Sequence, residues 1–277
     1  MKKYNPTSAS RRSMTVVPYR TLLTPEARFK PLTKRLKTPA GRNSKGRITV
    51  RHQEGGNKKI YRIIDFKQNK LDIPGRVETI EYDPYRSAFI ARVVYRDGER
   101  RYILAVKDLR KDMVIITSEN APQISGNRLR LKNINVGTFV SNIELRPSGG
   151  GKLARSAGTY AEVLSHEGNT SILRLSSKET RKVPSQSFAT IGQVSNIDYG
   201  LINYGKAGKS RWKGIRPTVR GTAMNPVDHP YGGGEGKQPR GTKRPKTRWG
   251  KITGGRKTRH KKKWSSKFII SRRPKVR

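Results

Sequence analysis

The sequence predicts a mostly β protein made of two small barrels, with long irregular basic extensions at both ends. Short runs rich in Val, Ile, Tyr and Phe, separated by turn residues, fill residues 61–200. This spacing is typical of small all-β domains. Outside that range proline, glycine and cations dominate, and such segments cannot bury enough apolar surface to pack on their own.

The positive charge is concentrated at the two ends. The formal net charge of the 277 residues is +43. Residues 201–277 carry 24 basic and 2 acidic side chains, residues 1–60 carry 16 and 2, and residues 61–200 carry 22 and 15. Self-repulsion opposes compaction unless a polyanion neutralises these ends. Nucleic acid is therefore the leading partner, and an anionic membrane surface is a weaker second choice.

Composition also excludes several classes of protein. The chain has no cysteine, which rules out disulfides, thiolate zinc sites and cysteine nucleophiles. No apolar run approaches the length of a transmembrane helix. The N-terminus lacks the apolar core of a secretory signal. Residues 1–25 loosely resemble an organellar transit peptide, but a basic arm lying on nucleic acid is the favoured interpretation.

The first 40 residues are predicted to form a basic arm. Its prolines are scattered and its apolar residues show no period, which indicates an extended conformation. Residues 41–122 are predicted to be an RNA-binding domain that begins with a glycine-rich lead-in, residues 41–59. Glycines there let the backbone approach a phosphate closely and the cations supply charge; a solvated loop is the alternative. The candidate contacts are Arg42, Lys45, Arg47, Arg51, Lys58 and Lys59.

Five short strands follow the lead-in, enough for a closed barrel of the OB type. Asp97-Gly98 between two of them is a two-residue hairpin signal. The predicted strands are Ile60–Lys67, Val77–Tyr82, Ser87–Tyr95, Arg101–Val106 and Met113–Thr117.

Residues 123–200 are predicted to form a second barrel of SH3-like size. A linker at residues 120–127 precedes it, and Glu167-Gly168-Asn169 supplies a turn. The glycine-rich segment 147–158 holds Lys152 and Arg155, and is either a phosphate-contacting loop or a flexible connector. The predicted strands are Thr138–Leu145, Tyr160–His166, Ser171–Leu175, Thr180–Pro184 and Thr190–Val194.

Residues 201–277 are predicted to be an extended basic segment. Tryptophans lie among its cations, and an aromatic ring there can stack on an unpaired base while its neighbours hold phosphates; ordinary packing is the alternative. The candidate RNA contacts outside residues 216–240 are Lys206, Lys209, Arg211, Trp212, Lys213, Lys243, Arg244, Trp249, Arg256, Lys257, Arg259, Lys261, Lys262, Lys263, Trp264, Arg272 and Arg273.

One stretch, residues 216–236, combines three prolines with three consecutive glycines, which forbids a regular helix or strand over most of its length. An irregular stretch of this length is plausible in a folded protein if a partner holds its backbone. Arginine forks suit phosphate pairs and stack on bases. The candidates here are Arg216, Arg220, Asn225, His229, Tyr231, Gly232, Gly233 and Gly234, followed by Lys237 and Arg240.

The sequence does not predict an enzyme. Histidine is the side chain suited to proton transfer near neutral pH, so His229 is the best single candidate for it, but no nucleophile or orienting pair accompanies it. We therefore interpret it as a structural contact to RNA and predict no catalytic residue. Glu235 could accept from a base amino group, a ribose hydroxyl or Arg240, or help to hold Mg²⁺. No cofactor is predicted beyond such an RNA-associated Mg²⁺.

The motifs resemble the bacterial-type ribosomal protein L2 family of the large subunit. PTVRGTAMNPVD and HPYGGGEG, residues 217–236, look like its signature region, and further blocks resemble it in order. These are GRNSKGRITVRH, YRIIDFK, RVETIEYDPYRSAFIA, DGERRYILA, GKLARSAGTY and GKAGKSRWKGIRPTVRG. The resemblance runs from residue 41 to residue 277. Tyr231 stands where the family commonly has a second histidine, so no role of that imidazole carries over, and the first thirty-odd residues match poorly.

The resemblance implies an OB-fold, an SH3-like barrel and an extended C-terminal segment that reaches toward the peptidyl transferase region. It implies binding to 23S-type rRNA, contact with other large-subunit proteins, a bridge to the small subunit and proximity to tRNA, without a membrane. A bacterial cytoplasm is the first expectation, and a plastid or mitochondrion stays open. A non-ribosomal RNA chaperone or RNA-acting enzyme is the alternative function. A DNA-binding protein would need a recognition helix, and none is predicted.

Overall fold

The computed structural model describes residues 1–236, 240–255, 257–260 and 262–274. The chain divides into two compact units. We call the first the barrel unit; it contains residues 1–37, 58–206 and the described part of 265–277. We call the second the loop unit; it spans residues 38–57 and 207–264 of the sequence. Each unit is therefore assembled from stretches that are far apart in the sequence.

The N-terminal arm is more structured than the sequence predicts. β1 (Lys2–Lys3) pairs with β2 (Thr15–Val16), and two single turns of helix, α1 (Ala9–Arg12) and α2 (Tyr19–Leu22), lie around β2. A 3₁₀ turn at Lys30–Leu32 leads into β3 (Thr33–Lys34). Val17 is 2% exposed and belongs to the core of the first barrel. The predicted extended arm is thus wrong in part, because Val17 is buried in this core and Tyr19 and Leu23 pack against it.

The first barrel contains five strands, four of which form an antiparallel sheet in the order β7-β6-β5-β8. Its strands are β4 (Tyr61–Arg62), β5 (Gly75–Glu81), β6 (Ile90–Tyr95), β7 (Arg100–Leu104) and β8 (Val114–Ile115). β4 pairs with β3, and Ile64 bridges to Tyr102 of β7. The predicted hairpin at Asp97-Gly98 is confirmed: the Tyr95 N–H donates to the Glu99 carbonyl at 2.9 Å.

The second barrel centres on a seven-stranded sheet in the order β17-β15-β14-β13-β10-β16-β9, with β11 and β12 paired beside it. Its strands are β9 (Arg128–Arg130), β10 (Phe139–Ser141), β11 (Ile143–Glu144), β12 (Gly151–Leu153), β13 (Ala161–Glu167), β14 (Thr170–Leu175), β15 (Thr180–Pro184), β16 (Phe188–Ile191) and β17 (Ile269–Ser271). Both barrels and the mostly β class agree with the sequence prediction.

Four details of the second barrel differ from the prediction. The predicted strand 138–145 is broken at Asn142, whose φ of 47° lies in the left-handed region. β12 lies inside the segment that was predicted to be a loop or connector. β9 and β17 were not predicted. β17 comes from the C-terminal segment and pairs with β15 at the sheet edge, so this segment is not irregular throughout.

A buried ion pair lies inside the second barrel. Arg128 and Glu144 are 0% and 1% exposed, and the Arg128 Nη2 donates to Glu144 Oε1 at 3.0 Å. The other carboxylate oxygen accepts the backbone N–H groups of Ser148 and Phe188. Burial lowers the pKa of Arg128 and the Glu144 carboxylate works in the opposite direction. Burying two charges is tolerated only when each is paired and hydrogen-bonded in this way.

A second ionic network joins the arm to the first barrel. Arg92 is 8% exposed and donates to Glu26 of the arm at 2.8 Å and to Glu78 at 2.7 Å. The Tyr102 hydroxyl donates to Glu81 at 2.9 Å and accepts the N–H of Phe29 at 3.0 Å. Burial is the main reason why the pKa of Tyr102 rises to about 12. The arm is held by polar contacts as well as by Val17.

The two barrels contact each other within the barrel unit. Val106 and Val194 form an antiparallel bridge, and the Phe89 N–H donates to the Ser195 hydroxyl at 3.1 Å. A 3₁₀ turn at Ile197–Leu201 follows the second barrel. The loop unit holds little regular structure: α3 (Ala207–Trp212) and a 3₁₀ turn at Gly221–Ala223. A 3₁₀ turn at Trp264–Phe268 leads into β17. Among the described helices, none is long and apolar enough to cross a membrane.

Candidate nucleic-acid interface

The glycine-rich lead-in and the C-terminal segment form one structure within the loop unit. Gln53 and Ile215 form an antiparallel bridge. The Glu54 N–H donates to the Gly214 carbonyl at 2.9 Å, the Asn57 N–H to the Trp212 carbonyl at 2.8 Å, and the Arg216 N–H to the His52 carbonyl at 3.0 Å. Two basic segments about 160 residues apart are thereby brought side by side.

Two glycines make this contact close. A Cβ added to Gly56 would lie 2.7 Å from the Gly214 nitrogen and 2.8 Å from its Cα. Backbone atoms cannot move aside as the end of a flexible side chain can, so residue 56 must lack a side chain. The glycine pattern that the sequence assigned to phosphate approach therefore serves, at this position, to join two parts of the protein.

The lead-in folds into a turn that presents its cations to solvent. Arg42 and Ile48 form a bridge, and the N–H groups of Thr49 and Val50 both donate to the Gly41 carbonyl. The Asn43 side chain accepts two backbone N–H groups across the turn. The cations at the tip, Arg42, Lys45 and Arg47, are exposed. A turn held by its own backbone keeps these side chains available to an anionic partner.

The three tryptophans are on the surface. Trp212, Trp249 and Trp264 are 52%, 69% and 61% exposed, so none of them fills a hydrophobic core. The Arg51 guanidinium lies 5.5 Å from the centre of the Trp249 ring, and that of Arg248 lies 5.7 Å from it. Aromatic rings with flanking cations suit stacking on unpaired bases.

The stretch from Arg216 to Gly236 is a succession of turns with internal hydrogen bonds. The Gly232 N–H donates to the His229 carbonyl at 2.8 Å, and the Gly233 N–H to the Met224 carbonyl at 3.1 Å. A Cβ on Gly232 would lie 2.2 Å from the Asn225 carbonyl oxygen. Hydrogen bonds within the protein therefore hold part of this backbone, which the sequence analysis expected a partner to hold.

His229 is built into this loop as a structural residue. Its Nδ1 accepts the Tyr231 N–H at 3.1 Å, and its ring lies flat against Gly221, where an added Cβ would be 2.6 Å from the imidazole. The neutral ring then carries its proton on Nε2. One ring nitrogen of the half-buried His229 is occupied in holding the turn, which leaves Nε2–H as a donor.

Tyr231 joins three parts of the loop unit. Its ring lies 4.8 Å from that of His229 at 43°, the guanidinium of Arg240 lies 5.6 Å from its centre, and its hydroxyl accepts the Lys246 N–H. A shorter imidazole side chain at this position could not make all three contacts in the same arrangement. The residue that departs from the family pattern is therefore a central packing residue of the loop.

The described residues show no group of three or more His, Asp or Glu side chains that could hold a metal ion. The loop unit contains three acids by sequence, Glu54, Asp228 and Glu235, against 22 cations. The surface can bind anions by charge, by arginine forks and by aromatic stacking.

Two family models match this chain. Residues 29–117 match the model described as Ribosomal Proteins L2, RNA binding N-terminal domain, and residues 124–250 match the one described as Ribosomal Proteins L2, C-terminal domain. The chain belongs to the ribosomal protein L2 family. As a member it is a structural constituent of the large ribosomal subunit that binds rRNA, and L2 proteins are structural ribosomal proteins rather than enzymes.

The predicted contacts of this L2 chain are divided between the two units. The barrel unit carries Lys58, Lys59, Lys152, Arg155, Lys206, Arg272 and Arg273. Lys237, Arg256 and Lys261 lie outside the described residues. The loop unit carries the others: Arg42, Lys45, Arg47, Arg51, Lys209, Arg211, Trp212, Lys213, Arg216, Arg220, Asn225, His229, Tyr231, Gly232, Gly233, Gly234, Arg240, Lys243, Arg244, Trp249, Lys257, Arg259, Lys262, Lys263 and Trp264.

Some contacts inside the protein were missed by the sequence prediction. Arg155 stacks on Phe66 at 4.7 Å and donates to the Gly151 carbonyl at 3.2 Å, so it also anchors β12. Lys246 and Arg248 belong to the C-terminal run of cations but were not singled out. In the sequence, their place in that run is the main feature that points to them. The contact of Lys246 with Tyr231 is made by a backbone N–H, so the type of residue does not reveal it.

Proposed function

We propose that this L2 chain fixes rRNA geometry near the peptidyl transferase region of a bacterial-type large subunit, and that it supports assembly and subunit association. We also propose that the chain has four domains, with boundaries at residues 1–40, 41–122, 123–200 and 201–277. The observation that carries the proposal is the loop unit: a region with 22 cations, three acids and three exposed tryptophans, held together by turns and glycine contacts.

The physical role follows from charge. A surface with so few acids gains little from its own ion pairs, whereas rRNA phosphates can neutralise many of its cations at once. Arginine forks and tryptophan rings then add direction, because they bind phosphate pairs and base faces in defined orientations. Bound in this way, the loop unit restrains the RNA, and RNA supplies the chemistry of peptide-bond formation.

The loop around His229 is the part we place closest to the catalytic region, tRNA and the bridge to the small subunit. The family resemblance of residues 217–236 supports this placement. The hydrogen bond that His229 Nδ1 accepts within the loop supports a structural role. We assign the chain to a bacterial cytoplasm first, with organellar ribosomes of the same type as the other hosts.

Salt titration tests the electrostatic part of the proposal. We expect the full chain to bind 23S-type rRNA with an affinity that falls steeply between 50 and 200 mM salt, by a factor of about 10³ or more. The full chain carrying Lys243→Ala and Arg244→Ala should show a smaller salt slope, by about one unit for each phosphate that the variant no longer binds. An affinity independent of salt would contradict the proposal.

A second experiment tests the structural role of His229. We expect large subunits that contain His229→Ala to assemble or to join small subunits less well. Subunits that do assemble should form peptide bonds at a rate close to wild type. The measurements are sedimentation profiles and single-turnover peptidyl transfer on purified subunits. A selective loss of peptide-bond formation in fully assembled subunits would show that our assignment is wrong.

A further inference from the structure

A cleft in the loop unit is lined by charged and aromatic side chains from two loops. Arg220, Thr222, His229 and Tyr231 line it from the first loop, and Arg240 and Lys246 from the second. Its volume is about 580 Å³, which lies within the range of about 300 to 1,000 Å³ of small-molecule sites. The cleft is large enough for a ligand the size of one nucleotide.

The lining of this cleft suits an anion that also carries hydroxyl groups. Three of its side chains are cations, and none of the described lining residues is acidic. Thr222, Thr253 and the Nε2–H of His229 add neutral hydrogen-bonding groups. A phosphate attached to a ribose presents this combination of negative charge and hydroxyls.

Tyr231 determines the shape of the cleft. Its backbone N–H is bonded to His229, its hydroxyl is bonded to the backbone of Lys246, and its ring lies under Arg240. The first bond fixes one wall, and the second fixes the distance between the two loops. The third contact holds a guanidinium at the rim, where its remaining N–H groups can reach a phosphate.

We propose that this cleft binds one unpaired nucleotide of the rRNA, with Arg220, Arg240 and Lys246 facing its phosphates and Tyr231 as the positioning residue that sets the cleft's width. This inference rests on the proposed function, since it takes the bound RNA as the source of the nucleotide. RNA is favoured over a free nucleotide because the cleft lies in the unit with 22 cations and three acids, which suits a polyanion.

The test uses large subunits reconstituted with the full chain and probed by ribose acylation. In the wild type we expect one or two adjacent nucleotides to be protected by the cleft. Arg240→Ala should expose these nucleotides several-fold and leave the other L2-dependent protections in place, and Arg240→Lys should restore part of the protection. Lys251→Ala is the matched control, because Lys251 is an exposed cation of the same loop that does not line the cleft.

Tyr231→Phe tests the positioning role. It keeps the ring but removes the acceptor for the Lys246 N–H, so we expect exposure of the same nucleotides, while the melting temperature of the RNA-free chain stays within about 2 °C of wild type. If Tyr231→Phe leaves the protections unchanged, the positioning role is wrong. If Arg240→Ala and Lys251→Ala give the same footprint, the nucleotide site is wrong.

Equilibrium dialysis of the RNA-free chain against AMP separates the two sources of nucleotide. Binding of AMP that needs Arg240, together with identical footprints of Arg240→Ala and Lys251→Ala, would assign the cleft to a free nucleotide and overturn our inference. Wild-type subunits with no L2-dependent protection at all would instead contradict the proposed function. The two failures are therefore distinguishable.

Discussion

The barrel unit and the loop unit differ in what balances their cations. The barrel unit contains 16 of the 19 acids and arranges them in networks such as Arg92 with Glu26 and Glu78. The loop unit has three acids for 22 cations. None of its described residues is buried, whereas the barrel unit contains all the buried hydrophobic residues found in the described chain.

This contrast shows that two parts of one chain can be stabilised in different ways. In the barrel unit, apolar burial of about 25 cal/mol per Å² stabilises the native state, and internal ion pairs are added to it. In the loop unit, turns, glycine contacts and backbone hydrogen bonds define a shape, and under the proposed function bound rRNA adds stabilisation by neutralising the cations. Four predictions sharpen or break this comparison, starting with the largest effect.

Glu144→Ala should be the most destabilising change. It leaves Arg128 buried without its carboxylate, and breaking a buried pair in this way costs about 3–5 kcal/mol. Chemical denaturation of the full chain, followed by circular dichroism, measures the loss. Glu162→Ala is the control, because Glu162 pairs with an exposed arginine, and such pairs contribute about 0–1 kcal/mol. Equal losses for both variants would show that the buried pair does not stabilise the barrel.

Removal of apolar side chains should affect the two units differently. Leu173 is 0% exposed in the second barrel, and Leu173→Ala should cost about 2–5 kcal/mol because it leaves a cavity. Val227 of the loop unit is 90% exposed, and Val227→Ala should change the free energy of unfolding by less than about 0.5 kcal/mol. A large loss for Val227→Ala would mean that the loop unit has an apolar core of its own.

Close contact between the two segments of the loop unit should affect the affinity for rRNA rather than the stability of the barrels. Gly56→Ala places a Cβ against the Gly214 backbone, so we expect rRNA affinity to fall about tenfold, which is ~1.4 kcal/mol. Gly208→Ala is the control, since a Cβ there meets nothing within 4 Å. Filter binding measures the affinity, and the barrel transition should stay the same. If Gly56→Ala left the rRNA affinity unchanged, close contact between the two segments would not be needed for RNA binding.

The smallest effect concerns pH. Burial opposes ionisation of Glu78, but hydrogen bonds and charge from Arg100 and Arg92 outweigh it and lower its pKa below the usual 4.5. Glu78 therefore contributes stability that is present above pH 4.5 and is lost as the pH falls through its lowered pKa. Between pH 6 and pH 3, the melting temperature of the wild type should fall further than that of Glu78→Gln. Parallel losses would show that Glu78 does not contribute. Glu54→Gln in the loop unit is the control.

Local chemistry made some elements predictable and left others invisible. The Asp97-Gly98 hairpin was predicted because two adjacent residues decide that turn. β17 was not, because it pairs with β15 about 90 residues away, and periodicity reports nothing about such pairing. Val17 belongs to a two-residue apolar run, Val16–Val17, which is too short to show a periodicity, so its burial had no pattern. Asn142 breaks a strand through one backbone angle, which composition does not encode.

The site was predictable in kind but not in arrangement. Charge and glycine content predict the lead-in and residues 216–236 as surfaces for RNA, and their contact with RNA stays a prediction. That they share one unit depends on backbone bonds between His52–Asn57 and Trp212–Arg216, and such bonds are nearly independent of residue type. His229 was predicted to be a structural contact to RNA because it lacks catalytic partners. The structure shows that its Nδ1 holds a turn of the loop, and its contact with RNA stays a prediction.

The divided origin of the loop unit has a consequence for synthesis of the chain. Its first segment ends at residue 57 and its second begins at residue 207, so the ribosome must add about 150 residues between them. At about 5–20 residues per second, that interval lasts roughly 8 to 30 seconds. During this time the barrels can fold before the second segment of the loop unit has been made. The lead-in then lies between β3 and β4, which pair with each other. Unfinished chains therefore lack the complete loop unit, so each nascent copy assembles it only near the end of its translation.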